Sequence, residues 1–168
     1  MIKKTLCLTH PFDTLPLDNG AQLIFTPCPG TKEADLVASI ATLKNAGTNL
    51  LITLMFDEEM ERNAVLSLPE ECNKQGIQWL QLPILDDAEP NQAFETQWQV
   101  HKANIIKIIN NKGVIAVHCK GGSGRTGLVI GLILLALGWS HEKIISEVQK
   151  LRPTSLKNLK QLNYFNSY

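Results

Sequence analysis

The sequence predicts an α/β fold: a single domain, residues 1–168, with a mainly parallel central sheet flanked by helices on both faces. Three observations carry this. Short apolar runs at 22–26, 50–54, 77–82 and 114–117 alternate with longer segments of helical period. The runs at 50–54 and 114–117 are apolar throughout, as strands buried on both faces are. A chain of 168 residues, 44% hydrophobic and with formal net charge zero, is long enough for one substantial core.

In chain order, residues 1–20 read as an irregular segment, with turns marked by Pro11, Pro16, Asp18-Asn19 and Gly20. The start, MIKKTLCL, resembles a signal peptide, but its apolar run stops at His10-Pro11 and Asp13, too soon for an h-region. Residues 22–26 read as an edge strand. Pro27-Cys28-Pro29-Gly30 turns the chain, and Thr31 is placed to cap a helix in which Ala34, Leu36, Val37, Ile40 and Leu43 repeat at helical spacing up to Gly47. After the strand at 50–54, a charged helix spans 57–62, with Asp57 read as its cap, and a second helical piece spans 69–75, stopped by Gly76. The strand at 77–82 ends at Pro83. Residues 84–91, ILDDAEPN, form a loop with three carboxylates. Phe94, Trp98, His101, Ile105, Ile108 and Ile109 then trace a helix that stops at Asn110-Asn111-Lys112-Gly113. His101 reads as a packed or half-buried histidine, and Trp79 and Trp98 as core.

From Gly127 to Trp139 run thirteen almost wholly apolar residues, a buried helix too short for the ~20 residues that span a bilayer. Ser140 caps a helix over 141–151 that Arg152-Pro153 stops, and a last helix covers roughly 156–166. No repeat or low-complexity stretch is present. The neutral charge leaves no basic footprint for nucleic acid, and no stable membrane association is expected. Four cysteines, Cys7, Cys28, Cys72 and Cys119, show no CxxC spacing, which fits a reducing cytoplasm. No metal and no cofactor is expected.

The chemistry concentrates in residues 114–127, VIAVHCKGGSGRTG. A strand, a glycine-rich loop and a helix start make an anion site, because free backbone N–H groups and the helix dipole converge on one spot. Between Cys119 and Arg125 lie Lys120, Gly121, Gly122, Ser123 and Gly124. If they curl round a tetrahedral anion, their N–H groups point inward and the glycines permit the close approach. The Arg125 fork matches two phosphate oxygens. The donors that hold a phosphate dianion also stabilise a thiolate, so Cys119 is set up for covalent catalysis. Thr126 is placed to donate to the sulfur when it leaves, and His118 to orient the loop rather than act as the base. A nucleotide-binding loop needs Gly-Lys-Ser/Thr where this chain has Gly124-Arg125. A sulfurtransferase loop has no need of Arg-Thr, a zinc site lacks further ligands nearby, and a buried structural cysteine leaves the arginine unexplained.

The run His118-Cys119-x5-Arg125-Thr126 resembles the signature of the cysteine-dependent protein tyrosine and dual-specificity phosphatases. Within that family the chain is similar to the kinase-associated (cyclin-dependent kinase inhibitor 3-like) phosphatases, through Pro29-Gly30-x-Lys32, Pro83-Ile84-x-Asp86 and Lys160-Gln161-x-Asn163-Tyr164. The resemblance implies a dual-specificity-phosphatase-like fold and metal-independent hydrolysis of phosphoprotein through a phosphocysteine. It implies Asp86 as the general acid and a place for Gln161 beside the hydrolytic water. From the residues alone, Asp86 and Asp87 both qualify as the acid, 33 and 32 residues before Cys119, the alternative being a solvated turn before a helix. Lys120 resembles the loops of inositol-lipid phosphatases, whose second lysine is replaced here by Ser123. A phosphoinositide or other small phosphoester is therefore the alternative substrate, and a non-catalytic phosphate-binding pseudophosphatase the alternative class. The expected partner is a phosphorylated protein, a kinase among the candidates.

Overall fold

The computed structural model describes residues 9–168; the readings that fall on residues 1–8, Cys7 among them, lie outside the described residues. Among the described residues, β5 (Val114–His118) is the middle of a five-stranded sheet. Its order is β1 (Asp13–Pro16), β2 (Gln22–Thr26), β5, β3 (Leu50–Thr53) and β4 (Gln78–Gln81). β2, β5, β3 and β4 pair in parallel, and β1 pairs antiparallel with β2.

Side chains on these strands alternate between two cores, as the strand period requires. Leu23, Phe25, Ile52, Ile115 and Val117 face α4 (Gln92–Asn110), α5 (Gly124–Ala136), α6 (His141–Leu151) and α7 (Leu159–Asn166). Ile24, Leu51 and Ala116 face α1 (Leu36–Asn45), α2 (Asp57–Arg62) and α3 (Leu68–Lys74). The helix at the centre of the first core is α5, buried at every position from Arg125 to Leu134.

The structure corrects several boundaries. Part of the irregular N-terminal segment is strand β1, closed onto β2 by a turn in which Leu17 N–H donates to Ala21 O at 2.8 Å. β2 is therefore internal rather than an edge. Pro16 disguised β1, but an edge strand tolerates proline because one row of its N–H groups has no partner to lose. Asp35, not Thr31, caps α1 by accepting from Ala38 N–H at 2.8 Å, while the Thr31 hydroxyl donates to Cys28 O in the preceding turn. Asp57 is the first residue of α2 rather than its cap, and its carboxylate accepts from Gln81. α5 begins at Gly124, three residues before the apolar run, and α7 begins at Leu159, where Asn158 caps it.

At the carboxyl end of the sheet, the register places Thr26, His118 and Thr53 side by side. The Thr53 hydroxyl lies 2.7 Å from His118 Nε2 and accepts from Trp79 Nε1 at 2.8 Å. His118 Nδ1 lies 3.0 Å from Cys119 O. A carbonyl only accepts, so Nδ1 carries the proton and Nε2 accepts from Thr53. Burial pushes His118 down from its ordinary 6.5 to about 4. The unfolded chain thus takes up a proton near pH 6.5 that the folded chain refuses until about pH 4, so this histidine's contribution to stability is full above pH 6.5 and falls as pH drops through that window. Urea unfolding between pH 7 and 4 is expected to show stability declining by up to about 1.4 kcal/mol per unit from this group. His118→Asn is expected to flatten that slope; an equal slope in the variant places the acid sensitivity elsewhere.

Candidate active site

Cys119 follows the last residue of the central strand and lies 3% exposed at the foot of the loop that runs into α5. Its Sγ accepts from Gly122 N–H at 3.3 Å and from the Thr126 hydroxyl at 3.2 Å. Both donors come from the loop and first turn of α5, so the sulfur sits at the positive end of a helix.

Gly122 makes this geometry possible. Its φ is +84°, and a Cβ there would lie 2.6 Å from the Thr26 carbonyl carbon, so a side chain would both strain the loop and collide with the end of β2. The loop is also tied there by Cys28 N–H to Lys120 O at 3.0 Å. Behind it, buried His10 places Nε2 2.6 Å from Thr26 Oγ1 and 3.0 Å from Pro27 O. Nothing in the sequence marked this brace from the N-terminal segment. On the other side Ser155 donates to Ser123 O at 2.7 Å, in a contact so close that a Cβ on Gly127 would meet its side chain at 2.5 Å.

Arg125 is buried, its side chain 1% exposed. Its Nη1 and Nη2 donate to the two oxygens of Glu59 at 2.7 and 2.9 Å, and Nη1 also donates to Ile84 O at 3.1 Å. Nε has no hydrogen-bond partner among the described residues. The Arg125 guanidinium holds the Glu59 carboxyl below the usual carboxylate range. Glu59 escaped the sequence reading because it sits among the acidic residues of a helix start. The signal that finds it is the arginine itself, since a buried guanidinium requires a carboxylate partner.

Asp86 and Asp87 lie on the loop after β4. Ile84 N–H fixes the loop's first residue to Leu54 O at 3.0 Å, and a turn closes from Ala88 N–H to Leu85 O at 3.2 Å. Asp87 adopts φ +58°, a conformation that aspartate tolerates better than most side chains. The exposed Asp86 carboxylate reaches 3.5 Å from Arg125 Nη2. Both aspartates, together with Cys119, Lys120, Ser123, Arg125 and Gln161, line one cleft of about 340 Å³. Gly121 and Gly124 form part of its rim. Thr154 and Asn158, which the sequence did not single out, complete it. Gln161 is 2% exposed; its Nε2 donates to Ala88 O at 3.3 Å and its buried Oε1 is unpartnered among the described residues.

Of the other singled-out residues, Cys28 lies behind the cysteine loop, where its N–H donates to Lys120 O, and none of them lines the cleft. Cys28 and Cys72 are free and buried, and burial pushes both thiols up to about 12. His101 is half-buried on α4 and Trp98 is core, while Trp79 serves Thr53. No cluster of three metal-ligating side chains occurs among the described residues.

Residues 29–163 match the family described as PTP-SAK, Swiss Army Knife protein, DSP-PTPase phosphatase domain. The chain is 28% identical over 125 residues to protein tyrosine phosphatase type IVA 2 of Mus musculus, covering 67% of this chain and 72% of that protein. It is 26% identical over 147 residues to cyclin-dependent kinase inhibitor 3 of Rattus norvegicus, covering 83% and 68%. The crystal structure of kinase associated phosphatase with its catalytic-site cysteine changed to serine superposes with a TM-score of 0.82 at 23% identity, covering 95% of this chain and 93% of that one, a likeness of fold. With the match spanning most of the chain and enclosing the whole cysteine loop, the protein belongs to the DSP-PTPase family of dual-specificity and protein tyrosine phosphatases.

Proposed function

We propose that the chain hydrolyses phosphate monoesters of phosphotyrosine, phosphoserine or phosphothreonine in protein substrates, without a metal, through a phosphocysteine on Cys119. The observation that carries this is the Cys119 sulfur held by Gly122 N–H and Thr126 Oγ1 at the start of α5, with Arg125 and Asp86 facing the same cleft. In the first step Sγ attacks phosphorus, the bond to the ester oxygen breaks, and Asp86 gives its proton to that oxygen. In the second, Asp86 takes a proton from water, the water oxygen bonds to phosphorus, and the sulfur leaves as a thiolate steadied by Thr126. Gln161 lines this cleft with a buried, unpartnered Oε1, which supports a role in orienting that water once the side chain turns toward it. Arg125 and the loop amides hold the equatorial oxygens.

Cyclin-dependent kinase inhibitor 3, the protein also solved as kinase associated phosphatase, bears a kinase in its name, which supports a phosphorylated kinase as one substrate class. Lys120, half-buried at the rim beside the nucleophile, supports a second reading in which a phosphoinositide headgroup is the substrate. The free cysteines Cys28, Cys72 and Cys119 support a reducing, cytoplasmic location.

Hydrolysis of p-nitrophenyl phosphate with EDTA present is expected to persist in the wild type and to fall more than about a thousandfold in Cys119→Ser. Turnover retained by the serine variant would sink the covalent step, and vanadate binding without turnover in the wild type would mean a phosphate-binding module instead. Asp86→Ala is expected to slow alkyl phosphates by roughly 10²–10⁴ and p-nitrophenyl phosphate far less, because a good leaving group needs no proton. Equal losses on both, with the unequal pattern appearing in Asp87→Ala, would assign the acid to Asp87.

A further inference from the structure

The formal charge of zero conceals a separation of charge between the two layers of the fold. Residues 31–91, which carry α1, α2, α3 and the acid loop, hold 11 Asp or Glu against 4 Lys or Arg. Residues 92–168, which carry α4 to α7 and the cysteine loop, hold 10 Lys or Arg against 3 Asp or Glu. α1–α3 and α4–α7 cover opposite faces of the sheet, so the protein carries a dipole across it. Soluble surfaces ordinarily intersperse both signs, and a layer dominated by one sign sets up a field that reaches beyond single contacts.

The two lips of the catalytic cleft keep these signs apart. One lip is the acid loop, with Asp86 and Asp87 lining the cleft and Glu89 exposed on the same loop. Behind it a neighbouring hollow is lined by Asp86, Glu58 and Glu59, with Arg62 as its one cation. The other lip holds Lys120, which lines the cleft, and Lys157 and Lys160, which are exposed on either side of the cleft-lining Asn158 in the chain. Among the described residues, Glu58, Asp87 and Glu89 form no salt bridge with a cation, and Lys120, Lys157 and Lys160 none with a carboxylate. Their charge is left for what lies in the cleft between them.

In an extended peptide, successive residues advance by about 3.3 Å, and the Debye length at physiological ionic strength is about 8 Å. A phosphorylated residue over Cys119 thus carries its second and third neighbours past the lips within reach of both fields. An anionic membrane presents one sign only, which the acidic lip opposes; a peptide can present both. We infer that the cleft selects a phosphoprotein segment by its charge polarity, with basic residues on the side of the phosphorylated residue that lies over the acid loop and acidic residues on the side that lies against Lys120, Lys157 and Lys160. The inference rests on the protein-phosphatase reading above and adds a sequence preference and an orientation to it.

The test uses phosphothreonine and phosphotyrosine peptides of one composition, with lysines on one side of the phosphorylated residue and as many glutamates on the other, made in both orders. Peptides flanked on both sides by glutamate, or on both by lysine, complete the set. For wild type at low ionic strength, one mixed order is expected to exceed the other about tenfold in kcat/KM, as a few exposed charge pairs give, and to exceed both uniform peptides. At about 1 M salt, where the Debye length is about 3 Å, the ratio of the two orders is expected to fall toward one. Lys157→Glu combined with Lys160→Glu is expected to bring the low-salt ratio to one or invert it, and Glu58→Lys combined with Glu89→Lys to do the same from the other lip. Because the ratio compares two peptides on one enzyme sample, a general loss of folding or of catalysis leaves it unchanged. A wild-type ratio near one, a ratio that salt or either double variant leaves intact, or a uniform peptide that outruns both mixed ones overturns the polarity assignment alone. Hydrolysis of p-nitrophenyl phosphate with no turnover of any peptide overturns the protein-phosphatase reading and the polarity with it. If the lysine double variant lowers hydrolysis of a phosphoinositide in phosphatidylcholine vesicles while the peptide ratio stays at one, the basic lip serves a lipid and the inference is wrong.

Discussion

The arrangement depends on one buried ion pair. Arg125 lies in the first turn of a wholly buried helix and is almost without solvent contact, yet it must keep its charge. The two Glu59 oxygens and the Ile84 carbonyl take three of its hydrogen bonds. Those contacts join α5, α2 and the first residue of the acid loop. Such a pair adds little to net stability, because desolvation offsets most of the attraction, but losing one partner would leave a buried charge and cost about 3–5 kcal/mol. Its consequence is therefore geometric. It sets the guanidinium in one orientation, with Nε unpartnered and the bound face turned away from it.

The sheet delivers the nucleophile to the same place. β5 is central, so the loop that follows it is flanked by the ends of β2 and β3 rather than by solvent. Those ends carry threonines, and the register sets both beside His118. Thr53 fixes the imidazole, and the imidazole fixes the Cys119 carbonyl. Thr26, braced by His10, supplies the wall against which Gly122 must fit. A polar row in an otherwise apolar sheet is costly unless each member is paired, and here the pairing aims the loop.

What was legible in the sequence was what lies close together along the chain. Cys119, the glycines, Arg125 and Thr126 occupy eight consecutive positions, and their order alone encodes strand, nest and helix start. The buried strands and α4 to α6 were legible from apolar period. Glu59 was not, because it lies 66 residues from its partner, in a helix start where acidic residues have a local explanation in the dipole. His10 was hidden in the same way: its partners Thr26 and Pro27 are brought to it by β1, a strand that Pro16 made unrecognisable. The choice of Asp35 over Thr31 as cap shows a third limit. Both residues have capping chemistry, but the Thr31 hydroxyl is taken by Cys28 O in the preceding turn, and Asp35 is the residue that stands at the helix start.

The charge balance of the cleft explains why the loop needs a glycine at position 122. In the proposed first step a thiolate at Cys119 meets a phosphate dianion, with the Glu59 carboxylate nearby and Asp86 carrying the proton it donates, which brings together more negative charge than Arg125 and Lys120 carry between them. Glu59 further engages Arg125, the one buried Lys or Arg among the described residues. The balance must come from dipoles that carry no counter-ion: the N–H groups of residues 120–125 and the start of α5. They serve only if the backbone can curl inward, and at Gly122 it does so with a positive φ in a space too small for a Cβ. Arginine then supplies direction, and the curled backbone adds its dipoles beside it.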